Sequence, residues 1–116
     1  MDDRIGDSLE RMNDYCQRIA FSMHRFGNSF ESFDSDYDYQ ASVIFNLQQI
    51  GENAKAIRSW LADNSNYDWN PVCGFRDFIA HNYARVDNTV VWKILIDDFP
   101  SMVNELARLL DAIRRR

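Results

Sequence analysis

"IGDSLERMNDYCQRIAFSMHRF", residues 5–26, decides the fold. Ile5, Leu9, Met12, Cys16, Ile19, Met23 and Phe26 recur at alternating intervals of four and three. That spacing draws one apolar stripe along a helix of about six turns, with charged residues elsewhere. Gly27 and Asn28 follow at once, and both suit a helix end. Downstream, "SFESFDSDYD" at 29–38 reads as an acidic connection. The next helix starts near Asp36 or Asp38, either of which can cap it. It carries Val43, Ile44, Leu47, Ile50, Ala54, Ile57 and Leu61 at helical spacing. Gly51 lies inside it, where glycine costs about 1 kcal/mol relative to alanine. Its presence there points to another helix passing close by.

Residues 63–71, "DNSNYDWNP", have the chemistry of a loop. A short helix follows from about Val72 to Tyr83. Asp87 or Asn88 then caps a last helix bearing Val90, Val91, Ile94, Leu95, Met102, Leu106, Leu109, Leu110 and Ile113. Pro100 should kink or break that helix near Asp97–Phe99. The closing "RRR" is favourable beside a helix C-terminus. The expected fold is therefore all-α: an antiparallel, up-and-down four-helix bundle of three long helices and one short one, filling a single domain over 1–116. No strand pattern and no internal repeat is visible. The first stripe is regular enough to serve a dimer seam as well as a core.

Composition sets limits on function. Four glycines and two prolines among 116 residues suit helices better than strands and turns. A formal charge of −5 argues against a broad basic face for nucleic acid, though a local basic cleft remains open. Cys16 and Cys73 make neither a disulfide framework nor a C-x-x-C zinc motif, and read as reduced thiols of a cytosolic protein. The polar, acidic start is unlike a secretory signal, and no apolar run approaches the ~20 residues of a membrane span. The expectation is a cytoplasmic protein with no membrane association.

The chemistry concentrates in "GFRDFIAHNYARVD", residues 74–87. On a helical wheel Phe75, Phe78, Ile79 and Asn82 centre the expected core face. Arg76 and Tyr83 nearly eclipse each other, and His81 falls roughly 140° from Arg76. Arginine matches phosphate oxygens bidentately, and histidine gives and takes protons near neutral pH. Together they suit cleavage of an RNA phosphodiester without metal. Because the two diverge on one helix, a two-fold dimer that builds one cleft from two copies would bring them together. The plain alternative is that Arg76 pairs with Asp77 or another carboxylate and His81 caps a helix end.

"RDFIAHNY" fits R-x4-H-x-Y and resembles the signature of the HEPN superfamily, specifically of HepT-type toxins. "QQIGENAKAI" at 48–57, the approach "WNPVCGFR" at 69–76 and "VVWKILIDDFPSMVNEL" are similar to further stretches of that family. The resemblance implies a dimeric helical bundle with two R-x4-H motifs lining one cleft, and metal-independent endoribonuclease activity. It also implies a partner antitoxin, a minimal nucleotidyltransferase of the MntA type, that attaches AMP to the motif tyrosine. On this reading Arg76 and His81 are catalytic and Tyr83 is the modification site. Asp77, Glu52 and Lys55 support them, although Glu52 and Lys55 equally suit a solvated i,i+3 ion pair. Arg58 and Arg85 would join Lys55 and Arg76 in attracting RNA, with the acidic 31–38 loop held away. No cofactor is implied. The rival expectation is a non-catalytic helical adaptor that presents substrate or nucleotide to a nucleotidyltransferase.

Other signals are weaker. Asp34, Asp36 and Asp38 mimic the start of a calcium loop, but Tyr39 and Phe45 stand where glycine and glutamate are needed. His24 has no ligand-like companion, and Trp60, Trp69 and Trp92 suit packing better than base stacking.

Overall fold

The computed structural model describes residues 3–115. Helix α1 runs Asp3–Phe26 and keeps the predicted stripe. Ile5, Leu9, Met12, Cys16 and Ile19 are buried, with Met23 and Phe26 packed at the core's edge. Gly27 ends α1 with φ +112, a conformation that favours glycine. The expected connection at 29–38 holds a short helix, α2, Phe30–Asp34. Ser29 caps it by accepting the Ser32 N–H, and Phe33 anchors it, fully buried against Tyr39 and Trp92. The acidic composition concealed one apolar anchor sufficient to hold a helical turn.

Helix α3, Tyr37–Ala56, starts at Asp36, whose carboxylate accepts from the N–H groups of Asp38 and Tyr39. Of the two predicted caps the first is used. The expected single helix through Leu61 is broken at Ile57 (φ −118, ψ 26), and α4 follows at Arg58–Asn64. Trp69 precedes α5, Asn70–Asn82, which begins two residues earlier than expected. It ends before Tyr83, because Tyr83–Arg85 winds into a tighter 3-10 turn. Asp87 caps α6, Asn88–Lys93, by accepting the Thr89 N–H. A π-helical turn, Ile94–Asp98, then leads into α7, Phe99–Arg114, with Pro100 in its first turn. Where a kink or break was expected near Asp97–Phe99 the chain stays helical, and only the helix type changes, from the π-helical turn to α7. Proline is tolerated because the first turn needs no N–H from it, and the wider turn before it absorbs the misfit.

Among the described residues there is no strand, and the all-helical fold is compatible with a bundle. Helix α3 is central and packs on both α1 and α5, while α7 packs on α1. Trp60 and Trp92 pack against the core and Trp69 is buried, as their spacing suggested. The Trp69 Nε1–H donates to Ser65 Oγ, and Ser65 in turn donates to Glu105, tying the 65–69 loop to α7. Burial pushes the Cys16 thiol up to about 12, so it is inert at neutral pH. No helix is long and apolar enough to cross a membrane among the described residues.

Candidate active site

The site is built where α3 and α5 touch. A Cβ placed on Gly51 would lie 2.6 Å from the Val72 carbonyl oxygen and 2.6 Å from Arg76 Cβ. Only glycine permits this approach, so the close-packing expectation for Gly51 holds, and its partner is the motif helix. The contact also rotates α5 away from the predicted orientation. Val72, Cys73, Phe75 and Ile79 form the buried face, and Phe78, expected in the core, is 44% exposed. Pattern alone favoured the phenylalanines. The missed signal is that Gly51 offers a flat seat to Val72 and Arg76 and turns that seam inward.

Arg76 leaves this seam and is fixed from two sides. Its Nε–H donates to Glu52 Oε2, and Nη1 donates to Asp77 Oδ1 at 3.1 Å. Lys55 Nζ donates to the same Asp77 oxygen at 2.7 Å. Glu52 and Lys55 therefore do not pair with each other along α3. Each reaches across to α5, bringing four of the predicted residues into one cluster with two positive and two negative charges. The hydrogen bonds that Arg76 donates to Asp77, then to Glu52, hold its proton more firmly than usual. Lys55, then Arg76, keep the Asp77 carboxyl below the usual carboxylate range. A depressed carboxyl stabilises the fold above its unfolded value of about 3.9, and the contribution fades as pH falls through the lower folded value. Nε and one N–H of Nη1 are engaged, and Nη2 has no partner among the described residues.

His81 lies in the last turn of α5 and is exposed, with no hydrogen bond or ion pair among the described residues. It stands five positions after Arg76 in α5, about 7.5 Å along the axis and roughly 140° around it. The chain thus places the guanidinium against α3 and the imidazole on another side of α5. Tyr83, in the 3-10 turn, no longer eclipses Arg76. It is 59% exposed and lines a shallow cavity of about 330 Å³ with Tyr37, Gln40 and Val86.

The remaining predicted cations do not join the cluster. Arg58 lines a groove with Tyr67 and Trp69, and Arg85 lines an apolar groove with Phe75, Phe78 and Val90. No group of three or more His, Cys, Asp or Glu side chains placed to hold a metal ion occurs among the described residues.

The sequence matches the family described as "Ribonuclease HepT-like" over residues 5–109, a span that includes the α3–α5 cluster, His81 and Tyr83. A "Probable ribonuclease HepT" of Thermococcus cleftensis is 28% identical over 106 residues, covering 90% of this chain and 88% of that protein. A "Putative RNase" of Caldanaerobacter subterraneus subsp. tengcongensis is 26% identical over 96 residues, covering 81% and 86%. No solved structure matches at a comparable level.

Proposed function

The chain belongs to the HepT-like ribonuclease family, and on that premise we propose that it is the endoribonuclease toxin of a toxin–antitoxin pair of the type VII-like kind. It would work as a homodimer of antiparallel, up-and-down bundles, cutting RNA without metal. The family match across the α3–α5 cluster carries this reading. In the reaction the ribose 2′-oxygen bonds to phosphorus as the P–O5′ bond breaks. A proton leaves O2′ and another reaches O5′. His81 moves one of these protons. Arg76, held by Glu52 and Asp77, donates from Nη2 to the charge gathering on the non-bridging oxygens. Lys55 keeps Asp77 ionised and in place. Arg58 and Arg85, both exposed, would contact phosphates further along the strand. Since one α5 directs Arg76 and His81 apart, the Arg76 of one protomer and the His81 of its partner would flank the scissile linkage.

The test is cleavage of RNA by the purified chain with EDTA present. Metal-free cutting supports the reading; no cutting of any RNA under any condition refutes it.

Control would come from a minimal nucleotidyltransferase antitoxin of the MntA type, which attaches AMP to the Tyr83 hydroxyl. Exposure of that ring on a tight turn supports its role as acceptor, and phosphate added there would repel an RNA backbone. Tyr83→Phe is expected to stay folded and gain no AMP when incubated with ATP and the antitoxin, as read by intact mass. Undiminished adenylylation of Tyr83→Phe would remove the residue from this role.

The second reading, a non-catalytic adaptor that presents substrate or nucleotide, is favoured by one observation. Within the protomer Arg76 is already neutralised by Glu52 and Asp77. Partner or nucleotide binding without any RNA cleavage would select it.

A further inference from the structure

Helices α1 and α3 leave an open groove of about 800 Å³ between them, away from the residues assigned above. Two phenylalanines stand in it unusually bare: Phe21 on α1 is 64% exposed and Phe45 on α3 is 52% exposed. Arg18 and Arg25 also line it. They lie one heptad apart and so share a face of α1. Neither is ion-paired among the described residues. The Arg18 guanidinium lies 5.5 Å from the Tyr15 ring centre, and that of Arg25 5.4 Å from the Phe26 ring centre.

The floor is polar. Ser22 Oγ and Ser42 Oγ are 2.9 Å apart, and Asn46 Nδ2 donates to the Ser42 carbonyl at 2.7 Å. Asn46 is only 4% exposed and closes the floor. The groove therefore offers an apolar wall of two phenylalanines and two guanidinium groups that form no ion pair among the described residues.

An aromatic base joined to phosphate meets both. Asp14 and Asp38 stand in the same groove and offset the two arginines. A polyanion is consequently not drawn in by net field. Recognition depends on local stacking and hydrogen bonding, which a base buried inside a duplex cannot provide. Phe45 and Glu52 are one heptad apart on α3, about 10.5 Å along nearly one face, and Glu52 holds Arg76.

We propose that the α1–α3 groove is a subsite for one unstacked nucleotide of single-stranded RNA, with its base against Phe21 and Phe45 and its phosphate on Arg18 or Arg25. This rests on the ribonuclease reading and adds to it a substrate class, the single strand. It also gives an acidic protein a local means of engaging RNA.

The experiment measures binding by fluorescence anisotropy on the His81→Ala chain, so that the RNA stays uncut. The probes are a short labelled RNA of mixed sequence, the same RNA annealed to its complement, and AMP. The single strand should bind at least tenfold more tightly than the duplex. Phe21→Ala and Phe45→Ala should each weaken it by about fivefold or more, with helicity and melting temperature unchanged. Arg18→Gln with Arg25→Gln should weaken it and flatten its salt dependence. Unchanged single-strand affinity in the phenylalanine variants would overturn the proposal. So would AMP binding that these variants abolish while RNA binding persists, or loss of the dimer's sedimented mass in the phenylalanine variants, which would show that a second copy covers the groove. Cleavage by the chain with His81 restored separates the two claims. If it cuts RNA while groove variants bind normally, only the groove fails. If it never cuts, the ribonuclease reading fails and the binding pattern still decides the groove.

Discussion

His81→Ala is expected to lower RNA cleavage by roughly 10²–10⁴-fold, the usual effect of losing a positioned proton-transfer group, while leaving the melting temperature unchanged. The second half follows from the structure: the imidazole is exposed and holds nothing among the described residues. Arg76→Ala should behave differently. It removes cleavage and also strips Glu52 of its partner and Asp77 of one of its two, Lys55 remaining, which loosens the link between α3 and α5. Arg76→Lys keeps the charge but not the fork that reaches both carboxylates, so it should not rescue the rate. Timed cleavage of labelled RNA with EDTA present, beside thermal melts of all three variants, checks this. Cutting by His81→Ala at the wild-type rate would contradict its role.

Gly51→Ala is the second large effect. The new methyl would meet the Val72 carbonyl and Arg76 Cβ at 2.6 Å, and a backbone oxygen cannot move aside as a side-chain tip can. Overpacking of this kind costs about 1–3 kcal/mol, of which alanine's better helix propensity returns about 1. The net loss should lower the melting point by several degrees, at about 4–8 °C per kcal/mol for a domain near this size. Activity should fall further than stability, because the strain displaces the segment of α5 that carries Arg76. Gly74→Ala is the control: its Cβ would meet nothing within 4 Å, so the helix should hold or gain slightly. Equal melting points for Gly51→Ala and wild type would show that the α3–α5 contact yields easily.

Features with a strong local code were legible from the sequence. The seven-residue stripe of α1, the two pairs of cap candidates from which Asp36 and Asp87 are used, and the irregular turn before Pro100 each depend on neighbouring residues alone. Gly51 was legible as a point of close approach, because glycine inside a helix needs a reason. What failed depends on tertiary packing. Ile57 is a good helical residue in pattern, and nothing local announces the break there. Phe33 looked like part of an acidic linker until Tyr39 and Trp92 enclosed it. The rotation of α5, with Val72 inward and Phe78 outward, follows from the flat seat at Gly51 rather than from hydrophobicity. At the site, spacing showed that Arg76 and His81 diverge. The cross-helix exchange of Glu52 and Lys55 partners needed coordinates, because an i,i+3 pair on one helix satisfies the same charges.

The central claim is that guanidinium and imidazole from two protomers act on one linkage. Arg76→Ala and His81→Ala chains carrying different tags can be co-expressed and the mixed dimer isolated. Such a dimer keeps one arginine on one chain and one histidine on the other. A cleft shared between protomers predicts that it regains metal-free RNA cleavage, which either variant alone lacks. A mixed dimer as inactive as its parents, beside an active wild type, would contradict the shared cleft.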